Sequence, residues 1–373
     1  VFTPHPLGVC DVLIAGNRIA RVATGIDLAG RDIEVLDAEG RWLVPGFVDP
    51  LTHPAGGGGE GGFGNRTREL EAEDFIEAGV TSPVGALGTD SITRSLETLY
   101  GQVMKLRANG LAACMFSGSY RVPADTLTGN VARDLLLIDP VIGIGEVAIA
   151  DHRSSQPTAD ELRRLASEVH LGGTLSGKGG TLFIHVGDGA SGLELLESAL
   201  AGSDLPRRLF FPTHCNRRDG LLQQAIGHAQ QGGYIDLTVS TTPELIEEGE
   251  LPALEAFRAA LEAGAPSGQM TFSSDAGGSL PLYRDGELVG LTTAAPASLL
   301  GLFRSASSGQ QKPPAEVLAA LTCNPADALN LSQKGRITAG ADADLLLLDP
   351  AEAQLTDVFC LGRRLLRHGR INI

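Results

Sequence analysis

The feature that most constrains the fold is the alternation of short apolar segments with helical segments through the middle of the chain. Helical segments such as 159–170 and 190–201 lie between apolar runs that have the length of strands. This alternation is typical of βαβ units and a parallel sheet. Eight such strands fit an α/β fold of the (β/α)8 TIM-barrel type better than an open sheet. The predicted strands are 46–51, 82–88, 111–117, 142–149, 180–186, 208–214, 233–239 and 270–275.

The two ends of the chain differ from this middle. Residues 1–44 and 335–373 contain short strand-like runs, and turn residues separate those runs near the N-terminus. Because two strand-rich ends flank the alternating region, we predict one small β-sandwich domain assembled from 1–44 and 335–373. Residues 45–334 then form the barrel domain, which we expect to be catalytic and metal-dependent.

Composition excludes several classes of partner. The chain has 373 residues and a formal net charge of -16, and both nucleic acids and anionic membranes require a basic surface. No apolar run approaches the roughly 20 residues of a membrane span. The five cysteines are scattered without a C-x-x-C pair, so we expect a reducing compartment rather than a disulfide framework. No signal peptide is visible, and we expect a cytoplasmic protein.

Chemistry-bearing side chains coincide with the ends of predicted strands. His53 follows the first strand, His185 and His214 lie at the fifth and sixth, Asp275 ends the eighth, and Glu146 lies within the fourth. Active sites of TIM barrels lie where strands end. Each residue alone could be an ordinary core or capping residue, but their joint placement favours a site for zinc or a similar metal. Asp275 could also take a proton from an activated water.

Longer motifs resemble a known family. PGFVDPLTH at 45–53 is similar to the strand-1 stretch of the amidohydrolase superfamily, and GRITAGADADLLLLDP at 335–350 is similar to its C-terminal β-domain signature. Closer similarity, in order and almost over the full length, is to the isoaspartyl dipeptidase family within that superfamily. The stretches that carry it are GGGGEGG (56–62), EAGVTSPVGALGTDSITR (77–94), SGSYRVP (117–123), ADHRS (150–154), PTHCNR (212–217) and SSDAGGS (273–279).

The resemblance implies a function. Members hydrolyse dipeptides that begin with a β-linked aspartyl residue, in the cytosol and as homo-oligomers, for which an octamer is one candidate assembly. The implied metal ligands are His53, His185, His214 and Asp275, and the implied catalytic residues are Asp275, as the base, and Tyr120, which helps to polarise the scissile carbonyl. The implied substrate-binding residues are Gly58, Glu60, Thr89, Arg153, Arg217 and Ser279.

Elementary electrostatics agrees with these roles. An isoaspartyl dipeptide carries two carboxylates and one ammonium group. Two arginines, Arg153 and Arg217, can hold carboxylates bidentately, and Glu60 can pair with the ammonium. In isolation these charges would be assigned to the solvated surface, but they directly follow predicted strands. For Tyr120, a packed aromatic ring with an exposed hydroxyl remains an equal alternative.

The metal centre is where the chain departs from the family. The strand-1 motif normally has two histidines, and Leu51 occupies the place of the first. On strand 4 the family typically has a carboxylated lysine that bridges two metals, and Glu146 lies in its place, with an extra residue near Gly145. We expect Glu146 to be a ligand, because an unpaired buried carboxylate would be costly.

These departures predict the metal content and leave alternatives open. Glu146, His185 and His214 form one complete site, so we expect one tightly bound zinc ion and a second that is weak or absent. The leading function is hydrolysis of the β-aspartyl amide bond. The alternatives are an amidohydrolase for another amide, such as an N-acyl amino acid, and a catalytically impaired member that binds a ligand without turnover.

Overall fold

The structure is a computed structural model that describes residues 1–30, 32–60, 62–284 and 287–373. The N-terminal strands are β1 (Asp11–Ala15), β2 (Arg18–Ala23) and β3 (Trp42–Pro45). The strands of the middle are β4 (Phe47–Thr52), β5 (Val80–Gly85), β6 (Cys114–Ser117), β7 (Val141–Ile149), β8 (Thr181–Val186), β9 (Phe210–Thr213), β10 (Ile235–Thr238) and β11 (Met270–Ser273). The remaining strands are β12 (Ser279–Arg284), β13 (Glu287–Thr293), β14 (Leu345–Asp349), β15 (Gln354–Cys360), β16 (Arg363–Arg367) and β17 (Arg370–Ile371).

The middle strands form a TIM-barrel-like α/β arrangement. All eight predicted strands are present as β4 to β11, and β4 to β9 form one sheet in sequence order with parallel pairing. β10 pairs in parallel with β11. Backbone hydrogen bonds connect the two sheets, from Cys215 to the Asp236 carbonyl (3.0 Å) and from His53 to the Ala276 carbonyl (2.6 Å). The ends of the eight strands therefore meet at one mouth.

Helices fill the connections between strands, as the periodicity predicts. They are α1 (Ala72–Ile76), α2 (Leu96–Ala108), α3 (Val131–Leu137), α4 (Ala159–Ser176), α5 (Glu194–Leu200), α6 (Asp219–Gln230), α7 (Pro243–Glu247), α8 (Ala253–Glu262), α9 (Ala297–Ser307), α10 (Ala315–Leu321) and α11 (Cys323–Ala328). A capping box of Thr158 and Glu161 begins α4, and Gly177 ends it in a left-handed conformation. The helix runs past the predicted end at 170, because Gly172 and Gly173 allow close packing against α3 and the start of β8.

An apolar cluster fills the inside of the barrel below its mouth. Phe183 stacks on Phe116 with ring centroids 5.0 Å apart and meets the edge of Phe211 at the same distance. Leu51 and Leu329 belong to this cluster and are fully buried. The barrel is therefore a packed core, and its chemistry is confined to the layer above these rings.

The two chain ends share one antiparallel sheet. β3 from the N-terminal end pairs with β14 from the C-terminal end, in the order β17-β16-β15-β14-β3, while β1 and β2 form a separate hairpin. Arg18 of that hairpin forms an ion pair of 2.9 Å with Asp342. Contacts thus join both termini, whereas the sandwich architecture and the domain limits at 44/45 and 334/335 stay predictions.

The sequence also predicts that the cysteines form no disulfide framework and that no segment spans a membrane. Within the described residues the cysteines are free. No helix in the described ranges combines the length and the apolar character that crossing a membrane requires.

A partly exposed ion pair outside the barrel predicts a pH effect. Glu197 on α5 contacts Arg207 (Oε2 to Nη2, 2.9 Å) and the ring of buried His228. The hydrogen bond with His228 and the Arg207 charge hold the pKa of Glu197 at about 2, below its ordinary 4.5, although burial opposes them. The ionised carboxylate therefore stabilises the fold above about pH 4.5, and this contribution disappears as the pH falls towards 2.

We expect Glu197→Gln to lower the free energy of unfolding at neutral pH by about 1 kcal/mol, since the side chain is partly exposed and screened. Denaturant unfolding at about pH 7, 5 and 3 measures the effect, which should shrink as the pH falls. A difference between parent and variant that stays constant over this range would show that the carboxylate charge does not contribute.

Candidate active site

The barrel mouth brings together the five residues that the strand ends predict as ligands. His185 lies near the end of β8, His214 directly follows β9, and His53 directly follows β4. Asp275 follows β11, and Glu146 lies in β7. The three histidines and Glu146 are buried, and the Asp275 side chain is 14% exposed. Side chains far apart in the sequence therefore form one polar layer above the aromatic core.

A β-bulge places Glu146 in this layer. On β7, Ile144 pairs with Leu182 of β8 and Val147 pairs with Ile184, so Gly145 and Glu146 together face the single Phe183. A bulge adds one residue to a strand and redirects its side chains. It lies where the sequence suggests an extra residue, and it carries the shorter glutamate arm into the site.

Glu146, His185 and His214 form a group that could hold a metal ion. Their three ligand atoms all lie within 4.8 Å of one another. Glu146 Oε2 lies 3.2 Å from His185 Nδ1 and 3.7 Å from His214 Nε2. The far nitrogens have outer partners, Asp151 Oδ2 at 3.0 Å from His185 Nε2 and Thr238 Oγ1 at 2.6 Å from His214 Nδ1. Such outer hydrogen bonds orient metal-binding histidines, so the donor set fits a divalent cation.

Electrostatics supports this fit. Burial acts to raise the pKa of Glu146, but its hydrogen bonds and the charges of the neighbouring histidines hold that pKa well below the ordinary value. Burial and the Arg217 charge lower the pKa of His214 to about 4. At neutral pH the site therefore presents an ionised carboxylate and a neutral imidazole, the forms that bind metal.

His53 and Asp275 form a second pair at the mouth. His53 Nδ1 donates to the Ala86 carbonyl at 3.0 Å, and its Nε2 lies 3.0 Å from Asp275 Oδ1 and 3.4 Å from Glu146 Oε1. Burial opposes protonation of His53, but the hydrogen bond with Asp275 and the Glu146 charge raise its pKa to about 9. Burial likewise opposes ionisation of Asp275, yet its bond with His53 lowers the pKa below the ordinary value. Asp275 is therefore ionised at neutral pH and can accept a proton.

Leu51 takes no part in this polar layer. Its side chain packs in the aromatic cluster with Phe116, Phe183 and Phe211 and is fully buried. An alkyl side chain offers no lone pair to a metal. Among the described residues, the carboxylate donors near His53 are thus Asp275 and the second oxygen of Glu146.

Tyr120 lies beside the metal-binding group, in contact with His185. Its hydroxyl is 2.8 Å from His185 Nδ1, and the Arg153 guanidinium lies 5.5 Å from its ring centroid. Burial and the Glu146 charge raise the pKa of Tyr120 well above its ordinary value, so the hydroxyl keeps its proton. The ring is buried and its hydroxyl points into the site, which favours the functional interpretation over a packing role.

The predicted substrate residues converge on Glu60. Its Oε1 accepts from Thr89 Oγ1 at 2.8 Å and from Arg153 Nη1 at 3.1 Å. Its Oε2 lies 3.4 Å from Ser279 Oγ. Burial alone would raise the pKa of Glu60, but hydrogen bonds from its own backbone N–H, Thr89 and Arg153, together with the Arg153 charge, lower it below the ordinary value. Arg217 also belongs to this set, with Nη1 3.4 Å from His185 Nε2. An ionised glutamate and two arginines thus border the metal-binding group.

Gly58 has a backbone role in this border. Its φ is +71°, a left-handed conformation, and a Cβ there would collide with the Asn65 carbonyl oxygen. The same added Cβ would lie 3.4 Å from the Cβ of Ser279. A side chain would therefore distort the loop that carries Glu60.

The sequence patterns missed Asp151. It lies in the loop after β7, and its carboxylate contacts His185 Nε2 (3.0 Å) and Arg153 Nη2 (2.7 Å). Its place inside the ADHRS stretch is the signal that could have identified it, because Arg153 in the same stretch is a candidate substrate residue.

The chain is similar over its whole length to solved structures of one enzyme. The β-aspartyl dipeptidase of Fervidobacterium islandicum, in complex with the β-Asp-Leu dipeptide, is 41% identical with a TM-score of 0.90, covering 100% of this chain and 96% of that chain. A second structure of this dipeptidase is 39% identical with a TM-score of 0.89 and the same coverage. The dihydropyrimidinase of Brevibacillus agri shares the fold, with a TM-score of 0.66 at 16% identity, covering 97% of this chain and 92% of that chain.

Shorter sequence matches lead to the same class of enzymes. Residues 243–365 match the Amidohydrolase family. The dihydroorotase of Lactobacillus leichmannii is 32% identical over 126 residues, which span 34% of this chain and 27% of that enzyme. The imidazolonepropionase of Rhizobium meliloti is 30% identical over 154 residues, which span 36% of this chain and 35% of that enzyme.

The barrel and its Glu/His/His group, together with these matches, define a hydrolase of the amidohydrolase class. The match over the full length defines a narrower family within this class. The chain belongs to the β-aspartyl (isoaspartyl) dipeptidase family of amidohydrolases, which confirms the resemblance in the sequence.

Proposed function

We propose that the protein hydrolyses the β-aspartyl amide bond of dipeptides, with zinc held by Glu146, His185 and His214. The proposal rests on one observation: charged side chains, among them Glu60 and Arg153, lie directly beside the Glu146, His185 and His214 group. The relative from Fervidobacterium islandicum, a β-aspartyl dipeptidase solved with β-Asp-Leu, supports the same substrate class. Homo-oligomeric assembly and a cytoplasmic location stay predictions from the family.

Recognition would exchange internal ion pairs for pairs with the substrate. Glu60 and Arg153 contact each other at 3.1 Å, and their side chains are 31% and 25% exposed, so both are accessible. A dipeptide ammonium would replace Arg153 on Glu60, and a substrate carboxylate would take the released guanidinium. Arg217 would hold the second carboxylate. An uncharged amide substrate would break the first pair without compensation, which favours the β-aspartyl dipeptide.

The side chains at the mouth supply proton transfer and orientation. A bound zinc ion would polarise the scissile carbonyl and acidify a water molecule. Asp275, ionised at neutral pH, would accept the proton of the attacking water and deliver it to the leaving amine. Tyr120 would donate its hydroxyl hydrogen to the carbonyl oxygen as negative charge develops there.

Leu51 favours the hypothesis of one tight metal site, and it also favours the main alternative function, a family member that binds its ligand without turnover. In the part of the chain that the structure describes, the second position has His53, Asp275 and a share of Glu146, so a second ion would be weak or absent. The same loss of a donor favours a member that binds the dipeptide without turnover. An intact substrate border with an altered metal centre is compatible with either outcome, so activity decides between them.

The deciding experiment counts zinc per chain and assays β-Asp-Leu cleavage for the parent, Leu51→His and Leu51→Met. The methionine variant is the matched control, because it keeps an apolar side chain of similar volume in the aromatic cluster. We expect one tight zinc ion and cleavage by the parent and by Leu51→Met. α-Asp-Leu and an N-acyl amino acid serve as comparison substrates.

Each other outcome has a defined meaning. Cleavage only by Leu51→His would favour the member that binds without turnover. No β-Asp-Leu cleavage by any variant, together with hydrolysis of the N-acyl amino acid, would favour an amidohydrolase for another amide. Two tightly bound ions in the parent would contradict the metal count.

A further inference from the structure

Asp151 connects the two halves of the site. Its Oδ2 accepts from Arg153 Nη2 at 2.7 Å and lies 3.0 Å from His185 Nε2. Its Oδ1 accepts from the Arg153 backbone N–H at 2.8 Å and from Nε at 2.9 Å. Asp151 is 5% exposed. Its Oδ2 also lies 3.9 Å from Arg217 Nη1. One buried side chain therefore contacts a metal-binding histidine and the residues that border the substrate.

The surrounding backbone fixes Asp151 in place. The Gln156 side chain donates to the Asp151 carbonyl at 2.9 Å, and the Gly189 N–H donates to the Ala150 carbonyl at 2.8 Å. The loop after β8 packs so closely that a Cβ on Gly187 would lie 2.6 Å from the Asp151 Cβ. The carboxylate cannot move far without displacing this loop, which suits a residue that orients others.

The contact with His185 determines which ring nitrogen is available to a metal. Both ring nitrogens of His185 face a carboxylate, Nε2 that of Asp151 and Nδ1 that of Glu146, so each is placed to donate a hydrogen bond. A metal ion held beside Glu146 would replace the hydrogen on Nδ1, and Asp151 would then hold the hydrogen that stays on Nε2. The lone pair of Nδ1 would then face the metal position beside Glu146 Oε2, which lies 3.2 Å from this nitrogen. The Tyr120 hydroxyl lies 2.8 Å from the same Nδ1. Without Asp151 the hydrogen could reside on Nδ1, and the nitrogen that faces Glu146 would lose its donor lone pair.

We propose that Asp151 is a positioning residue that sets the tautomer of the metal ligand His185 and, through the same carboxylate, the orientation of Arg153. The inference rests on the proposed function and deepens it. Metal binding and recognition of the substrate carboxylate are then coupled, because both depend on one side chain. A role limited to the ion pair with Arg153 would leave the metal affinity unchanged.

The test compares the parent with Asp151→Asn, which keeps the size of the side chain but removes the charge. Zinc dissociation constants are measured by competition with a chromophoric chelator, and β-Asp-Leu kinetics are measured at saturating zinc. We expect the zinc dissociation constant to rise by about 10- to 100-fold. The KM should rise as well, because Arg153 loses its support, while kcat at saturating zinc changes less. Asp204→Asn, an exposed site remote from the mouth, is the matched control and should match the parent.

Two results separate this inference from the function on which it rests. A parent that binds no zinc would overturn the proposed function itself. A parent that binds zinc, with an unchanged dissociation constant in Asp151→Asn, would overturn the role of Asp151 alone. If the variant does not fold, a crystal structure of the zinc-loaded parent decides: zinc on His185 Nδ1 with Asp151 on Nε2 supports the inference, and zinc on Nε2 overturns it.

Discussion

Replacing Glu146 with glutamine should remove tightly bound zinc and reduce kcat/KM for β-Asp-Leu by about 10³-fold or more. A bound metal stabilises the transition state by several kcal/mol, and each tenfold in rate corresponds to about 1.4 kcal/mol. Glu146 is 1% exposed, and its oxygens lie 3.2 Å from His185, 3.4 Å from His53 and 3.7 Å from His214. Glutamine has the same size but no charge, and its amide nitrogen would face the histidines in place of an oxygen.

Zinc content and steady-state kinetics measure this effect together. Glu255→Gln, at an exposed position of α8, makes the same chemical change outside the site and should leave both quantities at parent values. A Glu146→Gln protein that is folded, keeps one tight zinc ion and cleaves β-Asp-Leu at the parental rate would contradict the assignment of Glu146 as a ligand.

Replacing Glu60 with glutamine should reduce kcat/KM for β-Asp-Leu by about 10- to 100-fold, the loss typical of one partner of a charge pair of 1.5–3 kcal/mol. The change should appear mainly in KM, since Glu60 would contact the ammonium group and not the reacting atoms. Zinc content should stay at the parental value, because Glu60 does not contact the Glu146, His185 and His214 group.

The comparison substrate for this variant is β-Asp-Leu acetylated at its amino group, which lacks the positive charge. The parent should strongly prefer the free amine, and Glu60→Gln should discriminate much less between the two. Glu255→Gln again serves as the control and should retain the parental preference. If Glu60→Gln kept the full preference for the free amine, another group would have to recognise the ammonium.

The sequence predicts most of the fold because its periodicity is strong. All eight barrel strands are predicted within a few residues, since each is an apolar run bounded by polar turn residues. α4 continues six residues beyond its predicted end at 170, since close packing against α3 and the start of β8 accommodates Gly172 and Gly173 inside the helix. Local patterns do not contain this tertiary contact.

The residues of the site differ in how far the sequence predicts them. Placement at strand ends is enough to identify the three histidines, because the geometry of a barrel makes strand ends meet. Glu60 and Ser279 are 219 positions apart, and only the family resemblance connects them before the structure shows their contact. Asp151 is not identified by either route, since an acidic loop residue is ordinarily a solvated charge, and its burial depends on the glycines of the next loop.

The bulge at Gly145 and Glu146 also concerns how the site matures. A carboxylated lysine exists only after carbon dioxide has reacted with its amine, so a site built around one depends on dissolved gas and on the occupancy of that modification. A glutamate side chain is complete when translation ends. With the extra residue of the bulge in β7, the anionic group at the mouth of this barrel is a directly encoded feature, and every copy of the chain carries it as soon as it folds.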